Sequence, residues 1–354
     1  MKRRVFLLDI VRIVFALLVF ARHSISMYQC IWFNANINTI IKTLTGAIMS
    51  CFFVMSGFSI RMSSMGKQLN DGKQILGFYK KRLLTILPTY YLLNICYAFI
   101  IDGQMQDALR LLPIQLVGMS APFRGLFGIF VTGGTWFVSC ILIAYFVYPL
   151  LHQILSQLNW GKKLLIVVIL LFLRYYSSWI DKVYSLDSNY ANPFFRGMEF
   201  AMGVFLYDLL AHDFAGWQKK TLLGVSSGVL LLAAAYCLRG RTAAVVSLAG
   251  RYVPVIVMFI CVLFISLQLR CAFLERSKVL SYLSKLTYPF YLMHMLAWKL
   301  SDVLFAPQTP RMRIVCSLCI SVVLSVIAER VSWLVQKLLT RKKEKAIPAP
   351  ANEA

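Results

Sequence analysis

Charge is what this sequence has least of. Only 14% of its 354 residues are Asp, Glu, Lys or Arg, and 14 acidic residues face 37 basic ones. Soluble domains run nearer ~25% charged. With 59% of the residues hydrophobic and a mean hydropathy of +0.71, a water-soluble fold would expose large apolar patches and aggregate. That excludes the ordinary soluble classes and leaves a polytopic helical membrane protein, whose apolar surface is covered by lipid. A cleaved leader is not expected either. The N-terminal apolar run is too long, carries charges inside it and lacks a small-residue cleavage site, so it reads as a mature helix. Low-complexity blocks, linkers and a second soluble domain are not visible. The nine cysteines lie mostly in apolar runs, and only Cys316 and Cys319 form a CxxC. Without a second pair or a nearby histidine, they read as packing residues, and no metal is expected.

A bilayer core needs about 20 mostly apolar residues per helix. Ten such segments can be drawn: 5–27, 37–60, 83–101, 135–156, 162–180, 194–212, 221–238, 252–269, 279–301 and 313–335. The sixth and ninth are the least apolar, so they are expected to face the bundle interior. With the N-terminus in the cytoplasm, inner loops and tails hold 21 basic residues and outer loops hold 8. This positive-inside bias places both termini in the cytoplasm. It also accounts for the net charge of +23 without a nucleic-acid partner. The expected organisation is one all-α transmembrane domain over residues 1–340 and a short, basic, disordered cytoplasmic tail over 341–354. Residues 102–134 are too long for a tight turn and semi-apolar. They fit a re-entrant or interfacial cap, with a short extra span as the alternative.

Ionisable residues inside apolar spans are costly and mark a site by default. The first helix has the strongest set, Asp9, Arg12, Arg22 and His23, in LLDIVRIVFALLVFARHS. At ~100° per residue, Arg12 and His23 return to within ~20° of one face and stand ~16 Å apart along the axis. Asp9, three residues before Arg12, is placed to pair with it. His294 lies in the ninth segment, within LTYPFYLMHM. Arg196 and Glu199 can pair at i,i+3, a structural role in the first instance, and Glu329 with Arg330 is read as structural too. His152 and His212 fall near helix ends and carry no expectation.

The order of these residues resembles the acyltransferase-3 family of membrane O-acyltransferases. Arg12, ten residues, then His23 is similar to its R-x10-H signature. Phe52 to Phe58 (FFVMSGF) resembles its FFxLSGF segment, and FYKKRLLTILPTYY, from Phe78 to Tyr91, its basic entry to the third helix. TWFVSCILIAYFVYP resembles its Trp-led fourth helix, FFRGMEFAMGVFLYD its FR-x-x-E-F-x-x-G helix, and LTYPFYLMH its SYPLYLxH segment. Thr85 stands where many members carry a second arginine after Arg82. Ile141 stands where members acting on surface polysaccharides often have glutamate.

The resemblance implies transfer of an acyl group, acetyl first among them, from cytoplasmic acyl-CoA to a hydroxyl of an extracytoplasmic or lipid-linked glycan. The location implied is a bacterial inner membrane, crossed many times, beside other polysaccharide-assembly proteins. Acyl-CoA would be a co-substrate, with no permanently bound cofactor. A hydroxyl attacking a thioester needs a base that titrates near neutrality, which suits histidine. His23 is the expected base, or a transient acyl carrier, with Arg12, Asp9 and His294 completing the catalytic set. Lys80, Lys81 and Arg82 are expected to dock the CoA phosphates, although the positive-inside rule alone would also place charges there. Ser56, Gly57, Trp136, Tyr145, Arg196, Glu199 and Tyr291 are expected to support substrate or structure. The competing class is a transporter or flippase for lipid-linked sugars, which would need neither the R-x10-H stripe nor acyl-CoA binding.

Overall fold

The computed structural model describes residues 4–32, 34–100, 106, 109–110, 112–119, 121–122, 134–185, 190–238, 247, 252–305 and 309–344. Among these residues all regular structure is helical. In chain order the helices are α1 (Phe6–Tyr28), α2 (Ala35–Ser64), α3 (Gly72–Ile100), α4 (Leu112–Leu116), α5 (Thr135–Gln157), α6 (Trp160–Tyr175) and α7 (Ser177–Tyr184). They continue as α8 (Pro193–Leu210), α9 (Gly216–Leu238), α10 (Val253–Gln268), α11 (Ala272–Arg276), α12 (Lys278–Phe305) and α13 (Pro310–Glu344). Every one of the ten segments drawn from hydropathy is helical, with the fifth divided between α6 and α7. By length and composition, α2, α5 and residues 310–339 of α13 are long and apolar enough to cross a membrane. The pair α6–α7, bent by 59°, makes a fourth if taken as one span. The question of a cap or an extra span falls mostly outside the described residues, as does the tail beyond Glu344.

Local sequence explains where several helices begin. Asn34, Asn159 and Asn192 each turn a side-chain oxygen back to a free amide of the following first turn, at 2.9 Å. This satisfies one of the donors a helix start leaves open. Pro193 then occupies the first turn of α8, where its missing N–H costs nothing.

The core is built on α2 and α8, which cross at two glycines. A Cβ on Gly57 would lie 1.9 Å from the Phe200 carbonyl oxygen, and one on Gly203 would lie 1.9 Å from that of Val54. Backbone therefore meets backbone, the close approach that small residues allow between membrane helices. The approach is made at Gly57, and α2 runs through it unbroken. The expectation that the sixth and ninth segments face inward also holds. Eleven residues of α8 are buried, charged Arg196 and Glu199 among them, and eleven of α12, His294 among them.

Polar contacts fix the direction of the neighbours. Arg12 reaches Ser59 and Arg22 reaches the Lys42 carbonyl, so α1 and α2 are antiparallel. Ser284 reaches Asp9 and His294 reaches His23, so α12 runs parallel to α1. Thr89 with Ser332 and Gln336 with the Leu84 carbonyl set α13 antiparallel to α3. Pro88, inside α3, has no N–H for the Leu84 carbonyl four residues back. Gln336 supplies the missing donor at 3.0 Å.

At the end of the bundle reached by the last turns of α2 and α8, Arg61 donates two bonds to Asp208, at 2.7 and 3.0 Å. Lys163 adds a third at 2.8 Å. Arg61 also donates to His152 Nδ1 at 3.0 Å, which leaves His152 Nε2–H to donate to the Lys67 carbonyl at 3.0 Å. His152, which had no expected role, thus helps clamp α2, α5, α6 and α8 together.

Candidate active site

Two polar layers on α1 frame the site. In the first, Asp9 is a hub: it accepts from Arg4 Nε at 2.7 Å, from Arg12 Nη1 at 3.2 Å and from Ser284 Oγ at 2.6 Å. The Asp9–Arg12 pair expected from spacing is present, and Arg4 makes the shorter bond. Arg4 also donates to the Ser277 carbonyl at 2.7 Å, anchoring the entry to α12. Arg12 sends its other terminal nitrogen to Ser59 Oγ at 2.6 Å. Its guanidinium is thereby held between α1 and α2, as an oriented donor rather than a swinging one.

In the second layer His23 and His294 meet. His294 is buried, 1% exposed, and His23 is partly exposed. His294 Nδ1 lies 2.6 Å from the Tyr291 carbonyl, and its Nε2 lies 2.9 Å from His23 Nδ1. A carbonyl only accepts, so Nδ1 of His294 carries a proton. In a neutral pair Nε2 of His294 is then the acceptor and His23 Nδ1–H the donor. The remaining nitrogen, His23 Nε2, keeps its lone pair. The chain of contacts thus assigns to His23 the tautomer and ring orientation a base requires. Phe20 and Trp298 stack at 4.9 Å behind the pair, and Tyr28 stacks on Trp298 at 4.8 Å.

Beside the Asp9–Arg12 layer opens a cavity of about 480 Å³. Its polar wall includes Arg12, Thr85, Lys285, Glu329, Ser332 and Gln336. Its apolar wall includes Met49, Phe52, Met55, Phe137 and Ile141. Ser56, Tyr145 and Tyr291 also line it, three residues named from sequence. Tyr291 lines the cavity and its carbonyl holds His294, but neither His23 nor His294 is part of the wall. Glu329 had been read as half of a structural pair. That contact is present, at 3.9 Å with Arg330 67% exposed, and Glu329 also lines the cavity.

The basic residues expected at the entry to the third helix lie inside α3, and the three are not placed alike. Lys81 is exposed, whereas Arg82 is partly buried with its guanidinium 5.5 Å from the ring centres of Phe78 and Tyr145. Lys80 is partly exposed. None of the three lines the cavity wall, and Arg82 comes nearest to it, through Tyr145.

Arg196 and Glu199 do pair, at 2.7 Å and fully buried, but they are two parts of three. Arg174, also fully buried, binds the other Glu199 oxygen at 2.6 Å. Arg196 further donates to the Tyr190 carbonyl and to Ser50. Its guanidinium lies 5.2 Å from the Tyr190 ring and 5.5 Å from Trp136. Trp136 therefore belongs to the packing of this cluster, not to the cavity wall. Arg174 was missed by sequence reading although it sits within an apolar run, the signal that singled out Arg12. Its partner is 25 residues away, so no local spacing pointed to the pair.

The comparisons agree with this picture. A family model described as an acyltransferase domain, of the acyltransferase-3 type, matches residues 6–330. That match takes in Asp9, Arg12, His23 and His294, the buried cluster, and the cavity wall up to Glu329. No curated protein and no solved structure matches the chain. A match over nearly the whole chain, joined to apolar helices fit to cross a bilayer, makes this a membrane acyltransferase: the chain belongs to the acyltransferase-3 family.

Proposed function

We propose that the protein is an O-acyltransferase of the bacterial inner membrane. It moves an acyl group, acetyl first among them, from cytoplasmic acyl-CoA to a hydroxyl of an extracytoplasmic or lipid-linked glycan. The observation that carries this reading is the His23–His294 pair, whose hydrogen-bond order leaves His23 Nε2 free to take a proton. In the proposed reaction the acceptor hydroxyl gives its proton to His23 Nε2 as its oxygen attacks the thioester carbonyl. The C–S bond breaks as the C–O bond completes, and the CoA thiolate recovers the proton from the His23 imidazolium. His294 would hold the ring and disperse the transient charge, a positioning role.

Arg12 stands eleven residues from His23, ~16 Å along the helix. That is too far to steady an oxyanion at the histidine. Held by Asp9 and Ser59, it is placed instead to bind the polar arm of the donor where it enters the cavity. Arg82, with Lys80 and Lys81 beside it, would receive the phosphates. In this orientation Arg61, Lys80 and the start of α12 face the cytoplasm, ten helices cross the bilayer, and the histidines lie toward the outer leaflet. A flippase for lipid-linked sugars would not need a base held in one tautomer.

The direct test is release of CoA thiol from acetyl-CoA by membranes containing the protein plus a cell-envelope glycan extract. Wild type should release thiol with transfer of label to the extract, and His23→Ala at equal membrane level should not. Equal release by both would remove His23 from the chemistry.

A further inference from the structure

We infer that the acceptor carries a negative charge, as carboxylate or phosphate, and that Arg22 holds this group beside His23. The inference rests on the acyl-transfer reading above and deepens it by naming the class of acceptor.

Arg22 precedes His23 on α1 and is partly exposed. Its Nη1 donates to the Lys42 carbonyl of α2, a neutral acceptor, and Lys42 itself is exposed. Among the described residues no carboxylate pairs with Arg22 or Lys42, whereas Arg4, Arg12, Arg61 and Lys163 all have one. The charge of Arg22 acts on the His23 ring and on the Tyr190 hydroxyl. In the orientation proposed above this is the outer end of the bundle. The positive-inside bias explains basic residues in inner loops, so it does not account for a cation held here.

The buried cluster adds to the same field. Arg174 and Arg196 share the single carboxylate of Glu199, so the trio keeps one net positive charge with both arginines fully buried. The Nη2 atoms of Arg174 and Arg196 are buried without a hydrogen-bond partner. Arg196 bonds Ser50, eight residues after Lys42 on α2, which sets it ~12 Å deeper than the Arg22 contact. Tyr190 feels the charges of both arginines. Positive charge is thus stacked at two depths on the α2 side of His23, with one carboxylate to balance it. Such a field draws in anions. A guanidinium with one nitrogen on a carbonyl still has donors to offer, in a fork that matches carboxylate and phosphate oxygens.

The test uses the full chain in phosphatidylcholine nanodiscs and two matched pairs of probes, with Kd read by calorimetry. One pair is a tetrasaccharide of alternating glucuronate and N-acetylglucosamine against neutral chitotetraose. The other is farnesyl diphosphate against farnesol. The anionic member of at least one pair should bind at least ~10-fold tighter than its neutral partner, the step expected of a charge-assisted bond. The pair that shows the preference says whether the sugar or a lipid diphosphate carries the charge. Arg22→Gln should abolish it, Arg22→Lys should keep part of it, and both variants should bind acetyl-CoA as wild type does. No preference in either pair, or a preference that survives Arg22→Gln, would overturn the inference, while acetyl-CoA binding would still support the donor reading. An anion preference in a protein that binds no acetyl-CoA would overturn the donor reading, and the acceptor role inferred here with it.

Discussion

Adding a single methyl group at Gly57 should separate the two helices on which the core is built. In Gly57→Ala the new Cβ would lie 1.9 Å from the Phe200 carbonyl oxygen, where ordinary contact begins near 3.4 Å. Neither side can yield by rotating a side chain, because the opposing atoms are backbone. The axes of α2 and α8 must part by about 1.5 Å locally. Overpacking of this kind costs ~1–3 kcal/mol, and a backbone-to-backbone clash belongs at the upper end, about 3 kcal/mol. Gly203→Ala meets the Val54 carbonyl in the same way and should cost a similar amount. The two changes ask for the same displacement. The double variant should therefore cost clearly less than the two singles together, with a coupling of ~1–3 kcal/mol. SDS-titrated unfolding of detergent-purified protein measures all three. A Gly57→Ala cost below ~0.5 kcal/mol, or strict additivity in the pair, would refute the shared close crossing.

Other consequences follow from the buried polar contacts. Glu199→Gln leaves Arg174 and Arg196 buried without their common counter-charge. Removing one partner from such a cluster costs ~3–5 kcal/mol, so the variant should unfold far earlier in the same titration, and wild-type stability would contradict the account. Gln336→Leu strips the donor from the Leu84 carbonyl that Pro88 leaves open. A loss of ~1–3 kcal/mol is expected. Pro88→Ala restores a backbone donor, so the Gln336→Leu penalty should shrink in that background.

Much of the fold was legible because lipid imposes a simple rule: long apolar runs become helices, and each of the ten runs is helical. The site was legible where contacts are local. Asp9 and Arg12 stand three residues apart on one helix, so helical geometry alone predicts their pair. His23 and His294 were each singled out as costly groups in apolar runs, but their meeting crosses 271 residues and comes only from α1 and α12 packing in parallel. Arg174 shows the limit from the other side. The rule that marks Arg12 applies to it equally, yet its partner Glu199 stands 25 residues away on another helix, where no local spacing points to it. Glu329 and Arg330 do make contact, at 3.9 Å, and Glu329 also lines the cavity, which depends on how α13 packs and not on its sequence neighbours.

The central claim is that His23 is the base of an acyl transfer to a glycan. The most direct measurement is glycan O-acetylation by NMR in cells lacking the gene, complemented with wild type or with His23→Ala at membrane levels matched by immunoblot. Loss of a positioned general base lowers rate by ~10²–10⁴-fold. The account therefore predicts that acetylation returns with wild type and stays absent with His23→Ala. Equal restoration by both proteins would contradict it, and deletion that changes no acyl group but traps sugars inside the cell would replace it with transport.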